Sequence, residues 1–343
     1  MNAFLCSLIA LTAFSPRHYI CYQTSTPPQI DGKSEAVWDL VPWTESFVDI
    51  EGEGKLIPPY DTRLKMLWDE QGLYFLARLD EPHLQASLTE SESVIFQDND
   101  FEIFIDPDGD THLYYEYEIN ALGTEWDLLM VKPYRDGGPA ISAWDIEGVQ
   151  SAVYLAGTLN DPSDRDQYWQ VELFFPWRSL VECAPGKRIP RDQDQWRINF
   201  SRVQWQWDVR QGRYHKKIDP ETGNRFSENN WVWSPQGKIN MHMPEMWGYL
   251  QFSTQQAGRS EVTFVEDTDQ EIKSLLRQYY QLQKNYLEEN GRYADRLEML
   301  TDGEIPLIKL QASALQYEFF SYSYEKRGYW FINQHGKIHF RPL

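Results

Sequence analysis

The chain is poor in basic residues. Lys and Arg total 32 against 52 Asp and Glu, a formal net charge of −20 over 343 residues. Phosphate binding needs clustered cationic side chains, so this balance argues against a nucleic-acid partner. Cysteine is nearly absent. Cys6, Cys21 and Cys183 form no C-x-x-C pair, which argues against a zinc knuckle. A Cys21–Cys183 disulfide is open to the chain in an oxidising compartment, and two buried free thiols are the plainer expectation. The histidines His18, His83, His112, His215 and His242 are scattered, with no H-E-x-x-H. There is no Gly-rich phosphate loop, no G-x-S-x-G elbow, no Ser–His–Asp or Cys–His signature and no internal repeat. Long apolar runs are missing too. The one candidate, "MNAFLCSLIALTAF", is too short to span a bilayer. Residues 1–15 are read as a secretion signal that lacks the usual basic start, which places the chain in an extracellular or periplasmic setting; a buried N-terminal strand is the alternative.

Aromatic residues are plentiful. They make up 15% of the chain, with 14 tryptophans, and hydrophobic residues reach 41%, enough for a packed core rather than disorder. Most large aromatics are core, but a surplus also suits flat ligands and sugar rings.

Short alternating runs punctuated by Gly, Pro, Asp and Asn dominate residues 16–257. "STPPQIDGKSEAVWDLVPW" opens with an extended entry and an Asp31-Gly32 turn. "DTRLKMLWDEQGLYFLARLDEP" reads as a hairpin with Leu64, Met66 and Trp68 facing Leu73, Phe75, Ala77 and Leu79. "DNDFEIFIDPDGDTHLYYEYEIN" gives a second hairpin. "QSAVYLAGTLND", "QYWQVELFFPWRSL", "QWRINFSRVQWQW" and "GYLQFS" supply further strands. The pattern predicts an all-β antiparallel sandwich. From residue 258 the character changes. Thr268 and Glu271 form a capping-box pattern. Ile272, Leu275, Leu276, Tyr279, Leu282 and Tyr286 follow at helical spacing, and Asn290-Gly291 stops the helix. A short second helix near Tyr293–Leu300 and two alternating segments complete a small α+β appendage over 258–343.

Three chemistries compete for the second hairpin. "DPDGD" (Asp106, Asp108, Asp110) alternates like a calcium loop, but its flanks read as strands, so a solvated turn is favoured over an EF-hand, with another kind of calcium site left open. Glu102, Glu118 and Glu172 are strand carboxylates that could supply a glycosidase pair. The period-two rule also puts Glu102 with Asp106, and Glu118 with Asn120, on the face opposite the apolar set. With Phe96, Trp126, Arg202, Gln204 and Trp231 nearby, this makes a polar and aromatic cleft suited to sugar hydroxyls and ring faces.

"PPQIDGKSEAVW", "LKMLWDEQGLYFLARLDEP", "NDFEIFIDPDGD", "YYEYEINALGTEWD" and "VELFFPWRSL" occur in an order that resembles carbohydrate-binding module family 9 and its family 9-like relatives, over residues 24 to 253. The resemblance implies a β-sandwich that binds mono- or oligosaccharides, often attached to or expressed with glycoside hydrolases, and a structural calcium ion. It also implies two clamping tryptophans, in whose places this chain has Phe96 and Met241. Glu102 matches the family's sugar-binding glutamate and Asn120 its asparagine. Glu118 stands where those relatives keep an arginine, so the platform falls to Trp126 or Trp231, or the ligand differs. The leading reading is a carbohydrate-binding protein with no catalytic residues of its own, serving polysaccharide degradation or uptake. The alternatives are an enzyme acting on O-glycosyl bonds, or its partner subunit, using Glu102 and Glu118, and an interaction module whose cleft is vestigial.

Overall fold

The computed structural model describes residues 16–301 and 307–343; the stretch read as a secretion signal lies outside them. In chain order the strands of the larger part are β1 (His18–Gln23), β2 (Val48–Asp49), β3 (Thr62–Trp68), β4 (Gly72–Asp80), β5 (Asp100–Asp106), β6 (Tyr114–Asn120), β7 (Glu125–Met130), β8 (Ala140–Ile141), β9 (Gln150–Ala156), β10 (Tyr168–Pro176), β11 (Gln195–Gln204), the hairpin β12 (Trp207–Arg210) and β13 (Arg213–Lys216), β14 (Asn229–Val232) and β15 (Gly248–Gln256). The main path runs β8-β7-β6-β5-β11-β15-β1-β3-β4-β10-β9, with β14 and β2 branching from β11. Every pairing is antiparallel except those of β1, which runs parallel to both β15 and β3 and so joins the two layers of the sandwich.

The layers meet through alternating apolar residues. Leu64, Met66 and Trp68 lie opposite Ala77, Phe75 and Leu73 in the β3–β4 register, and all six are buried in one core with Trp169, Val171, Leu173 and Phe175 of β10. Phe101, Ile103 and Ile105 of β5 and Tyr115, Tyr117 and Ile119 of β6 supply the other wall. Phe75 meets Phe200 at 6.0 Å and Tyr117 meets Phe175 at 5.1 Å between ring centroids, both edge-on across the layers. Each fully buried side chain of this size contributes roughly 1.5–3 kcal/mol. At Pro176, which ends β10, the chain turns into α1 (Trp177–Leu180).

Cys21 and Cys183 are both free, and the disulfide does not form. Cys21 is packed in the core on β1, while Cys183 caps the far end near the Tyr115 hydroxyl, which accepts its backbone N–H.

The appendage holds α2 (Gln270–Asn290) and a separate antiparallel sheet of β16 (Ile308–Ala312), β17 (Tyr317–Ser323), β18 (Gly328–Asn333) and β19 (Ile338–Pro342). Leu276, Tyr279 and Tyr280 of the helix pack on Ile308, Tyr317, Phe319, Ile332 and Ile338. Gly291 ends the helix at φ 68, the left-handed conformation that glycine adopts without a Cβ clash. The capping box is not used. Asp269, not Thr268, is the N-cap, and its carboxylate turns instead to Ser323 Oγ and Trp330 Nε1. The second helix reduces to a single turn at Leu297–Met299.

The "DPDGD" turn is not solvated as expected. Asp106 and Asp110 are buried and only Asp108 is exposed, because the appendage covers the turn. Lys337 Nζ lies 2.6 Å from Asp110 Oδ2, Arg277 Nη2 donates to Thr111 Oγ1, and Ile338 N–H donates to the Asp110 carbonyl.

Candidate functional site

The outer face of the β5–β6–β7–β11 layer is divided. Its lower half is apolar, with Phe104, Tyr114, Leu128, Met130 and Trp247 buried together and Trp126 and Met241 packed at their edge. Its upper half is acidic. Antiparallel register places Asp100 opposite Asn120 and Glu102 opposite Glu118, with Glu118 in turn opposite Trp126. On the other flank Ser201 of β11 stands opposite Glu102. Asp100, Glu102, Glu116 and Glu118 are each 6% exposed or less.

Burial is the main force on their acidity. It holds Glu102 up to about 7, and it pushes Asp100, Glu116 and Glu118 well above the usual carboxylate range, with the charge of Glu102 adding to each. Hydrogen bonding satisfies them only in part. Glu118 Oε2 accepts the Phe96 N–H at 3.0 Å and Asp100 Oδ1 accepts the Val203 N–H at 3.3 Å. Asp100 Oδ2, Glu102 Oε2 and Glu116 Oε2 have no protein partner, and neither do two donors on the same face, Ser201 Oγ and Trp126 Nε1. Unpaired buried polar atoms are rare in folded proteins, and this face gathers several of them.

Phe96 sits half-buried at the rim on the turn Ile95–Gln97. Its carbonyl accepts the Trp205 indole N–H at 2.9 Å. The β12–β13 hairpin reaches the same rim, where Lys216 Nζ lies 3.1 Å from the Trp205 ring centre. Lys216 and the neighbouring Trp207 Nε1 also lack partners, and burial pulls the Lys216 ammonium down to about 8.

Asn120 is on this face but committed to the fold. Its amide donates to the Leu88 carbonyl and Asp98 Oδ2, and its oxygen accepts the Leu122 and Thr124 N–H groups, which shapes the β6–β7 turn.

Arg202, Gln204 and Trp231 do not join the cluster. Phe200 of β11 points into the core, so Arg202 and Gln204 point inward as well, while Ser201 points out. Arg202 is 1% exposed and ion-pairs with Glu81 at 2.9 Å. It also donates to Thr62, the Asp80 carbonyl and Gln204 Oε1, with Trp231 stacked 5.2 Å away. These three residues plug one end of the core.

Glu172 is far from Glu102 and Glu118 in role and place. Its carboxylate accepts the Asp31 and Gly32 N–H groups and the Trp38 indole, so it leaves the candidate catalytic set. Glu102 and Glu118 sit side by side on one floor, both with raised acidity constants, rather than on opposite sides of a gap. Two open surface depressions, about 370 Å³ beside Tyr317 and about 260 Å³ beside Tyr60 and Arg78, lie away from the acidic face. The first has one unpaired buried group, the Tyr317 hydroxyl, and neither has the carboxylate cluster of the acidic face.

Sequence reasoning missed Asp100 and Ser201. The signal was present: Phe101 and Phe200 are apolar and inward, so their neighbours Asp100 and Ser201 must point out on adjacent strands. No described helix is long and apolar enough to cross a membrane.

Residues 30–189 match the family described as "Carbohydrate family 9 binding domain-like". No curated protein matches the chain. Among solved structures, a family 9 carbohydrate binding module from Caldicellulosiruptor kristjanssonii in complex with glucose is similar, at 18% identity and TM-score 0.43, covering 71% of this chain and 99% of that one. A structure of such a module from the same organism with cellotriose gives 17% identity, TM-score 0.43 and coverage of 72% and 100%. The family match stops before β11 and β15, which complete the layer that carries the acidic face. Over residues 30–189 the chain is thus similar to the carbohydrate family 9 binding domain-like family.

Proposed function

We propose that this protein binds a mono- or oligosaccharide on the acidic outer face, without chemistry of its own. The observation that carries the reading is the mixture of unpaired groups. Glu102, Asp100 and Glu116 offer acceptors while Ser201 and Trp126 offer donors. A sugar hydroxyl both donates and accepts, so one polyol satisfies both kinds. Phe96 and Trp126, both half-buried, provide apolar surface for the C–H side of a pyranose ring. The similarity of residues 30–189 to carbohydrate family 9 binding domains supports the same ligand class. The role that fits is capture of saccharides during polysaccharide degradation or uptake, alongside glycoside hydrolases, in an extracellular or periplasmic setting.

Calorimetric titration of the purified chain with glucose and short glucan and xylan oligosaccharides, with and without calcium, tests this. Saturable binding that weakens about ten-fold or more in Glu102→Gln supports the reading; ten-fold corresponds to about 1.4 kcal/mol. Silence across the whole set with a folded protein overturns it.

A further inference from the structure

Two enclosed donors beside the acidic face have no use in the fold. Lys216 Nζ and Trp207 Nε1 are both buried atoms without a protein partner. Trp207 and Lys216 are directly opposed in the β12–β13 register, so their side chains share one face of the hairpin. Trp205 holds its own ring in place, with its backbone N–H on Asn99 Oδ1 and its indole N–H on the Phe96 carbonyl. The Lys216 ammonium rests over that ring, which takes up one side of a group with three hydrogens to donate. Unpaired buried donors are rare, and here a cationic one and a neutral one stand side by side.

The charges around Lys216 do not supply the missing partner. Asp98 and Glu228 act on it from a distance, and Arg225 opposes them. Asp98 is committed to Ser87, Leu88 and Asn120. Glu228 links the donor pair to the acidic face, because its charge bears on Glu102 as well as on Lys216. Phe96 links them again: its N–H holds Glu118 and its carbonyl holds Trp205. Burial favours the uncharged forms of Asp100, Glu116 and Glu118, so an anion at this edge meets less repulsion than the composition suggests. One cationic and one neutral donor match the two oxygens and single charge of a carboxylate. The hairpin pairs with no other strand and the lysine stem is flexible, so the head group can turn from the ring to a ligand.

We propose that Lys216 Nζ and Trp207 Nε1 form a subsite for a carboxylate, so that the preferred saccharide is an acidic one, a uronic acid or an oligosaccharide that carries it. This rests on the saccharide reading of the acidic face and names the class of sugar that face takes.

The test is calorimetric titration of the full chain with glucose, glucuronic acid and glucuronamide, the last being the uncharged counterpart of the second. At pH 7 glucuronic acid is expected to bind at least about ten-fold more tightly than glucuronamide, as a charge-assisted pair allows. Lys216→Met removes that difference and leaves glucuronamide within about two-fold of wild type, as for an independent contact. Trp207→Phe weakens the acid and not the amide. The free lysine loses its proton at about 8, so the preference for the acid is full below that pH and falls as pH rises past it. Lys216→Arg keeps the preference and abolishes its decline, because a guanidinium stays charged there. Equal binding of acid and amide by the wild-type chain overturns the proposal and leaves the saccharide reading standing. A preference retained in Lys216→Met also overturns it, as does glucose 6-sulfate bound as tightly as glucuronic acid, which would make the subsite a general anion site. Silence toward all these sugars overturns the saccharide reading and this inference with it.

Discussion

The Trp38 indole donates to Glu172 Oε1 at 2.8 Å, although the two residues are 134 positions apart. The other Glu172 oxygen accepts the Asp31 and Gly32 N–H groups, both at 3.0 Å. One carboxylate therefore pins the entry turn and the first helical turn to the middle of β10. Gly32 is needed there, with φ 80 and no room for a Cβ, which would come 2.8 Å from the Tyr154 nitrogen. Two of the sequence segments that carry the family resemblance, "PPQIDGKSEAVW" and "VELFFPW", are thus the two halves of one fastening.

Glu172→Gln removes an acceptor and turns an amide N–H₂ toward existing donors. Each buried donor left unpaired costs about 1–3 kcal/mol. The expected outcome is a fall in the thermal midpoint of roughly 5–10 °C, measured by circular dichroism, with saccharide affinity unchanged.

Arg202 and Glu81 make a second fastening, at the end of the core. Breaking a buried ion pair by removing one partner costs about 3–5 kcal/mol, because the remaining charge is stranded. Glu81→Gln is expected to lower stability by that order in a denaturant titration. Arg202 faces the core rather than the acidic floor, so the surviving folded protein should bind saccharide within about two-fold of wild type, as for independent sites. A ten-fold loss of affinity would place Arg202 in the ligand site after all.

His242 gives the fold a dependence on pH. Its ring is half-buried, with Nδ1 2.9 Å from the Tyr114 hydroxyl, Tyr134 edge-on, Phe104 beside it and Arg135 donating to its carbonyl. Burial, then the Arg135 charge, lowers its acidity constant to about 4 from 6.5. Between those values the unfolded chain binds a proton that the folded chain does not. Stability is therefore complete above pH 6.5 and is lost as pH falls toward 4, by an amount on the order of 3 kcal/mol. His242→Asn keeps an acceptor for Tyr114 and cannot titrate in this range. Chemical denaturation at several pH values should show a shallower slope in that variant than in wild type; parallel slopes would refute the assignment.

Strand alternation made most of the sandwich legible. Leu64, Met66, Trp68 and their partners could be paired from sequence because each hairpin is local and its apolar residues recur every second position. The same rule could have separated Arg202 from Glu102, since Phe200 fixes the side of β11 on which Arg202 lies. What stayed hidden was non-local. Nothing in "HYICYQ" announces that β1 runs parallel between β15 and β3. Nothing in "DPDGD" announces that Lys337, more than 200 residues later, neutralises it. The acidic face was visible as a list of carboxylates but not as a buried one. Its burial depends on neighbours the alternation does not announce, such as Phe96, whose N–H Glu118 accepts, and Trp126, opposite Glu118 on β7.

Those covering aromatics carry the last prediction. Phe96 and Trp126 are half-buried beside the unpaired acids, whereas Trp231 is packed in the core against Tyr60 and Arg202. If a sugar ring rests on the acidic face, removing either covering ring strips apolar contact from the ligand. A loss of about 1–2 kcal/mol from each corresponds to an affinity ten- to thirty-fold weaker. Phe96→Ala and Trp126→Ala should each show it in calorimetric titration while retaining the wild-type far-ultraviolet spectrum. Trp231→Phe should instead lower the thermal midpoint and leave affinity in place. The contrast is informative because all three residues entered as equal candidates by composition. The register of β11 with β14, and of β6 with β7, puts Trp231 beside Arg202 in the core and Trp126 opposite Glu118 on the acidic face. Equal losses of affinity in all three variants would mean that the aromatic contribution is general to folding, and that the acidic face has no ring platform.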